Sequence, residues 1–290
     1  MKRAAVVRTS ALAEEATALG PARAVVPLPR GVDRLKPTPG EIAEQLEAIA
    51  AAYPGELVAA QKQDVARIGF NIGLVTERAG RDVAICDLGG GIGLFSVGCA
   101  ALGMRATLVD DFGDSVNREY AQVPQQVHRK YGVEVVSSDV IESPPVFADG
   151  AFDAVTSFDS MEHWHHSPRG LFQRVVRWLR PGGLFVLGVP NCVNLRKRIT
   201  VPLGMGKWSS MADWYEQPRF RQHVREPDTA DLRYIARDLE LREVEILGRN
   251  WLGYTSARQW VRLGTPLLDI PLRLFPSLCA DIYLVGRTGG

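Results

Sequence analysis

Three of the five histidines, His163, His165 and His166, fall within four consecutive positions, and Asp159 and Glu162 stand just ahead of them. An imidazole changes protonation state near neutral pH, so a histidine here suits removal of a proton from an acceptor group. His163 lies nearest the strand expected before it and is the first candidate; His165 and His166 follow. Asp159 and Glu162 offer the same segment a second chemistry. With a histidine they make a donor set for a divalent cation, Mg²⁺ if oxygens dominate, Zn²⁺ or Mn²⁺ if imidazoles do. Such an ion would polarise an acceptor hydroxyl and lower its pKa.

A second cluster is built of glycine. Asp87-Leu88-Gly89-Gly90-Gly91-Ile92-Gly93 follows an apolar run and opens a helical pattern. Glycines allow a tight turn and close approach of the backbone to a ligand. Asp110 ends the next apolar run, where a carboxylate can accept from two ribose hydroxyls. The order strand, loop, helix, strand, Asp describes a nucleotide-type cofactor site. The stretch lacks GxxxxGK[ST], which disfavours a P-loop, and it does not complete the GxGxxG fingerprint of dinucleotide sites. Asp87 ahead of the loop would repel a pyrophosphate and suits a cationic, phosphate-free cofactor instead.

The elements that must hold these residues follow from hydrophobic period. Short apolar strands are expected at 83–88, 106–110, 133–139, 152–158, 184–189, 241–248 and 281–286. Helices at 92–102, 114–130, 170–179 and 230–240 fall between most of them. Continuous apolar strands alternating with helices imply a mostly parallel sheet covered on both faces. Upstream, residues 1–40 read as an extended Pro-rich lead-in. Thr38 or Gly40 is placed to cap a helix from Glu41, and a second helix is expected over Glu56–Ala79 before Gly80. Residues 1–80 are therefore an N-terminal extension and helical cover. Residues 81–290 are one α/β domain with an irregular insertion at 191–227.

Residues 81–191 resemble the class I S-adenosylmethionine (SAM)-dependent methyltransferases. The resemblance rests on DLGGGIG (87–93), LVD (108–110), SSD (137–139), FDAVTSFDSMEHWHHSP (152–168) and LFQRVVRWLRPGGLFVLGVPN (171–191). It implies a Rossmann-like seven-stranded sheet with an antiparallel last strand, and SAM as cofactor. Asp87 and the backbone of Gly89, Gly90, Gly91 and Gly93 would hold the methionine portion. Asp110, with Asp111 as stand-in, would hold the ribose; Asp139 and Val140 would lie by the adenine, and Phe158 would lie beside the cofactor. The implied reaction is O-methylation of a small acceptor, a saccharide or glycosylated metabolite, with N- or C-methylation and a non-catalytic SAM-binding role as alternatives. His163 would then be the base.

The insertion would supply acceptor contacts. Asn191, Arg196, Trp214, Tyr215, His223 and Arg225 are its candidates, with Trp208, Arg219 and Arg221 interleaved, because aromatic faces and guanidinium groups suit sugar and aromatic rings. Trp251, Tyr254 and Trp260 are further wall candidates. The 34 Lys+Arg against 33 Asp+Glu leave a formal charge of +1, which argues against a nucleic-acid partner. No apolar run approaches the ~18 residues of a membrane span, and the first twenty residues lack the apolar core of a signal peptide. Four widely spaced cysteines fit neither a disulfide scaffold nor a CxxC metal site. A cytoplasmic protein is expected; nothing in the sequence points to an oligomeric state.

Overall fold

In a computed structural model, the described residues are 38–113, 122–205, 209, 211–216, 220 and 222–290. The Pro-rich lead-in, the first part of the helix expected at 114–130, and Trp208, Arg219 and Arg221 lie outside them.

Thr38 starts the first helix, α1 (Pro39–Ala50), through a reciprocal capping box with Glu41, satisfying backbone donors that a helix start otherwise leaves open. The long helix α2 (Gly55–Ala79) follows and stops at Gly80, whose φ is 93°. The α/β alternation then begins: β1 (Ala84–Leu88), α3 (Phe95–Ala101), β2 (Arg105–Asp110), α4 (Gln122–Lys130), β3 (Glu134–Ser137), β4 (Phe152–Phe158), α5 (Arg169–Trp178) and β5 (Leu179–Pro190). Two short helices, α6 (Leu195–Thr200) and α7 (Met211–Tyr215), lie in the expected insertion. They precede α8 (Thr229–Asp238) and β6 (Arg242–Arg249). Helices α9 (Trp251–Tyr254) and α10 (Gln259–Arg273) lead to β7 (Asp281–Arg287). Among the described residues, no helix is long and apolar enough to cross a membrane.

The seven strands form one sheet in the order β3-β2-β1-β4-β5-β7-β6, with only β7 antiparallel to its neighbours. Helices cover both faces, as the sequence pattern implied. Strand residues alternate between two cores. Ile85, Leu184, Val186 and Val285 face α1 to α3, while Cys86, Phe185, Leu187 and Leu284 face α5 and α8. From β1 the chain first runs outward through β2 and β3, then returns to the other side of β1 with β4. That reversal opens a crevice at the carboxyl ends of β1 and β4, where ligands of such sheets bind.

Strand β5 is longer than the apolar run 184–189, because Leu179 already pairs with Phe152 before a register shift. Helix α10 has no counterpart among the expected elements. Pro266 and Pro271 lie inside it, and prolines mask a helix in a reading by propensity.

The helical cover is part of the same core as the sheet. Leu46 of α1 is fully buried against it. Truncating such a residue removes buried apolar surface and leaves a cavity, at about 2–5 kcal/mol. Leu46→Ala is expected to lower unfolding free energy by that amount in urea titration; a loss under about 1 kcal/mol would show α1 to be loosely applied.

Candidate active site

The glycine loop leaves β1 at its carboxyl end. Gly89 and Gly91 have φ of 71° and 56°, in the region that disfavours side chains. A Cβ on Gly89 would overlap the Ser160 hydroxyl, and one on Gly90 would overlap the Asp87 carboxylate. The loop is pinned from both sides: the Gly89 N–H donates to the Val109 carbonyl (2.8 Å) and the Gly91 N–H to Asp110 Oδ2 (2.9 Å). Asp110 Oδ1 accepts from the Phe112 N–H at 2.6 Å. The carboxylate expected to hold a ribose is therefore also the anchor of the loop.

Asp87 is buried beside it. Its carboxylate accepts from Ser96 Oγ (2.8 Å) and Thr156 Oγ1 (3.0 Å). Burial pushes its pKa up to about 6; the two hydroxyls oppose that rise and nearby Asp110 adds to it. Asp139 Oδ1 accepts from the N–H groups of Ile141 and Glu142, both at 2.8 Å, and holds the turn after β3. These groups surround a cleft of about 500 Å³. All ten residues expected at the cofactor line it: Asp87, Gly89, Gly90, Gly91, Gly93, Asp110, Asp111, Asp139, Val140 and Phe158. Seven carboxylates line it (Asp64, Asp87, Asp110, Asp111, Asp139, Glu142 and Asp159) against one guanidinium, that of Arg67, a balance that favours a cationic ligand over a phosphate.

A second group of polar residues begins where β4 ends. Asp159 takes a left-handed conformation (φ 49°) and is ion-paired with Arg67 of α2. A 3₁₀ turn over Met161–His163 then buries Glu162, which is 1% exposed. Its Oε2 has no hydrogen-bond partner. Burial drives its pKa up to about 8; its own backbone N–H and Arg67 oppose that rise, and Glu226 and Asp281 add to it.

His223 arrives from the insertion. The Val224 N–H donates to the Glu162 carbonyl at 2.6 Å, fixing the strap to the turn. Glu226 Oε1 lies 2.7 Å from His223 Nδ1, and His223 Nε2 lies 3.9 Å from Glu162 Oε1. His163 Nε2 lies 4.0 Å from the same oxygen, and its ring meets that of His223 edge-on at 4.9 Å.

A second cleft, about 320 Å³, opens on this cluster. Arg67, Asp159, Glu162, Trp251, Tyr254 and Asp281 are among its walls. Asp64, Arg67, Asp159 and His163 line both clefts.

Of the three clustered histidines, His163 alone faces Glu162. His165 Nε2 lies 3.0 Å from the Phe220 carbonyl, and exposed His166 lies 3.5 Å from Glu142; both border the cofactor cleft. Asp159 and Glu162, grouped in the sequence as metal ligands, point to different partners. Glu162 shares its space with imidazoles, so the donor set departs from the oxygen cage that Mg²⁺ favours. Asn191 is buried and donates to the carbonyls of Ser277 and Cys279, a structural role at the exit of β5. Arg196, Trp214, Tyr215 and Arg225 are exposed and line neither cleft. Trp251 and Tyr254 wall the second cleft, while Trp260 lies on the surface, 72% exposed.

The sequence reading missed Gln61, Asp64, Arg67 and Asp281. The first three recur every third residue on α2, a polar stripe on a helix read only for its apolar face.

Residues 86–187 match the family model described as a methyltransferase domain. No curated protein sequence matches the chain significantly. Among solved structures, Burkholderia thailandensis 1,6-didemethyltoxoflavin-N1-methyltransferase is similar at 16% identity and TM-score 0.50, over 89% of this chain and 94% of that one. Haemonchus contortus phosphoethanolamine N-methyltransferase 2 is similar at 19% identity and TM-score 0.49, over 90% of this chain and 61% of that one. Residues 86–187 thus carry a methyltransferase domain, set in a seven-stranded sheet whose acid-lined cleft lies at the point where the strand order reverses.

Two outcomes follow for the cofactor cleft. Gly89→Ala is expected to weaken SAM binding at least about tenfold by calorimetry, because the loop must move off Ser160 or adopt a strained φ. SAM affinity is expected to rise from pH 5 to pH 7 as Asp87 loses its proton and becomes an anion toward a cationic cofactor. In Asp87→Asn that rise should flatten; an unchanged profile would remove Asp87 as its source.

Proposed function

We propose that the enzyme methylates a hydroxyl of a small, polar acceptor seated in the second cleft, with a saccharide as the substrate class. The observation that carries this reading is the position of His163, which borders both clefts beside Asp159 and Arg67. A methyl donor in the first cleft and an acceptor in the second would meet there, and in-line transfer requires such a junction. Asp87, the loop backbone, Asp110, Asp139 and Val140 would hold SAM as the sequence resemblance implies. The proton of the acceptor hydroxyl is handled by the cluster of His163, Glu162 and His223.

The walls suit a sugar. Trp251 and Tyr254 offer ring faces, while Arg67, Asp159 and Asp281 offer hydrogen-bond partners to several hydroxyls. The excess of carboxylates over cations in this cleft supports a second reading, N-methylation of an amine drawn in by charge. The residues matched as a methyltransferase domain end before the insertion and α9, so His223, Trp251 and Tyr254 come from outside that match while Asp159, Glu162 and His163 lie within it. Four free cysteines fit a reducing, cytoplasmic setting.

A panel of sugars, phenols and amines, incubated with SAM and read by mass spectrometry, separates the two readings. O-methylated sugars are expected; products methylated only at nitrogen would overturn the hydroxyl assignment. On the best acceptor, His163→Ala is expected to lower the single-turnover rate by about 10²–10⁴-fold, with SAM affinity within about twofold of wild type. A folded variant that keeps more than about a fifth of the rate would remove His163 from the proton-handling role.

A further inference from the structure

Glu162, His163 and His223 bring one carboxylate oxygen and two imidazole nitrogens within 4.8 Å of one another. We infer that these three side chains bind a divalent transition-metal ion of the Zn²⁺, Mn²⁺ or Fe²⁺ type at the inner end of the acceptor cleft. The proposal rests on the methyltransferase reading for its purpose, though not for its chemistry.

Several independent observations point to an ion. Glu162 is 1% exposed, yet its Oε2 has no hydrogen-bond partner. A buried carboxylate oxygen without a donor is unfavourable unless a cation or a proton answers it. The two imidazole Nε2 atoms stand 3.9 and 4.0 Å from the other oxygen of the same carboxylate, Oε1, close enough to share a cation with it. Ligand atoms around a tetrahedral ion of this type stand about 3.3 Å apart, so side-chain shifts of about 1 Å or less would close the set.

The third observation is Glu226. Its carboxylate lies 2.7 Å from His223 Nδ1. A hydrogen bond at that atom places the proton on Nδ1 and leaves the Nε2 lone pair directed at Glu162. Histidine ligands are oriented by carboxylates in this way. Glu226 also ion-pairs with Lys197, which fixes it from behind.

Two imidazoles and one carboxylate select a borderline transition metal over Mg²⁺ or Ca²⁺. Three protein ligands leave a coordination position open, the pattern of a reactive centre rather than a structural one. Glu162, His163 and His223 line the same cleft as Trp251, Tyr254 and Asp281, so an open position on the ion would be reached from it. An acceptor hydroxyl bound there would lose its proton to water more readily. Its oxygen lone pair would form the new O–CH₃ bond as the sulfonium C–S bond breaks, that electron pair returning to sulfur.

Stripping the full-length protein with chelator and titrating it with Co²⁺ reads the site directly, through visible ligand-field bands, while SAM binding is followed separately by calorimetry. Saturable binding of about one ion per chain at micromolar affinity or tighter is expected. Glu162→Gln and His223→Ala should each abolish it, and Glu226→Gln should weaken it about 10- to 100-fold. All three should keep SAM affinity within about twofold of wild type, which shows that they fold. Absence of saturable binding below about 100 µM would overturn the proposal, as would binding that survives in a Glu162→Gln/His223→Ala double variant or is lost only with His165 and His166. If the protein binds Co²⁺ through these residues but not SAM, the methyltransferase reading fails and the metal site stands. SAM binding without Co²⁺ binding is the reverse.

Discussion

Asp87 stands next to last in the central strand, its carboxylate held by Ser96 and Thr156 and closed off from water. An enclosed anion restricts everything around it. The neighbouring loop must come close without side chains, since a Cβ on Gly90 would collide with that carboxylate. The next strand must end on a group that can hold the loop open, which Asp110 does through the Gly91 N–H. The adjoining strand must bring a hydroxyl rather than a methyl at the same level, which Thr156 supplies where Val155 faces the opposite core. The cofactor cleft is the space that these requirements leave.

The second cleft obeys a different constraint. Its side chains come from four separate parts of the chain: α2, the turn after β4, the insertion, and the approach to β7. What joins them is backbone as much as side chain, because the strap bearing His223 is hydrogen-bonded to the carbonyl of Glu162. Charge is concentrated here as well. Glu162, Glu226 and Asp281 crowd together, and Arg67 is the cation that reaches toward several of them. Burial raises Asp281 to about 6 and Glu162 to about 8, so this wall of the pocket resists ionisation until a cationic or hydrogen-bonding partner arrives.

How much of this was readable beforehand depended on locality. Residues 83–110 announce strand, loop, helix and strand by local apolar period and glycine placement, and all ten cofactor residues named from that stretch and its successors do line one cleft. Strand β4 has the bounds that its pattern suggested. The acceptor side was opaque for a physical reason: no local rule says that His223 will lie beside Glu162, sixty-one residues away in sequence. A search for aromatic and basic residues in the insertion found Trp214, Tyr215, Arg196 and Arg225, which the fold leaves on the outside. Polar positions on α2 carried a usable signal, yet Arg67 reads as an ordinary exposed helix residue until its partner Asp159 is known. Prolines at 266 and 271 hid α10 for the opposite reason, a local signal overruled by the rest of the chain.

The strap that crosses the 3₁₀ turn ties two kinds of inheritance together. Among the described residues between Asn194 and Gln222 none lines either cleft, although Lys197 ion-pairs with Glu226 and the Phe220 carbonyl meets His165, whereas from His223 to Glu226 the chain is bonded to the Glu162 turn itself. A segment exchanged between related enzymes would therefore carry different cargo depending on where the seam is cut. A seam ahead of His223 would transplant outer surface together with Lys197, the ion-pair partner of Glu226. A seam beyond Glu226 would also import a new imidazole, the carboxylate bonded to it and the backbone clamp on Glu162, so that outer surface and cleft wall would move as one heritable block.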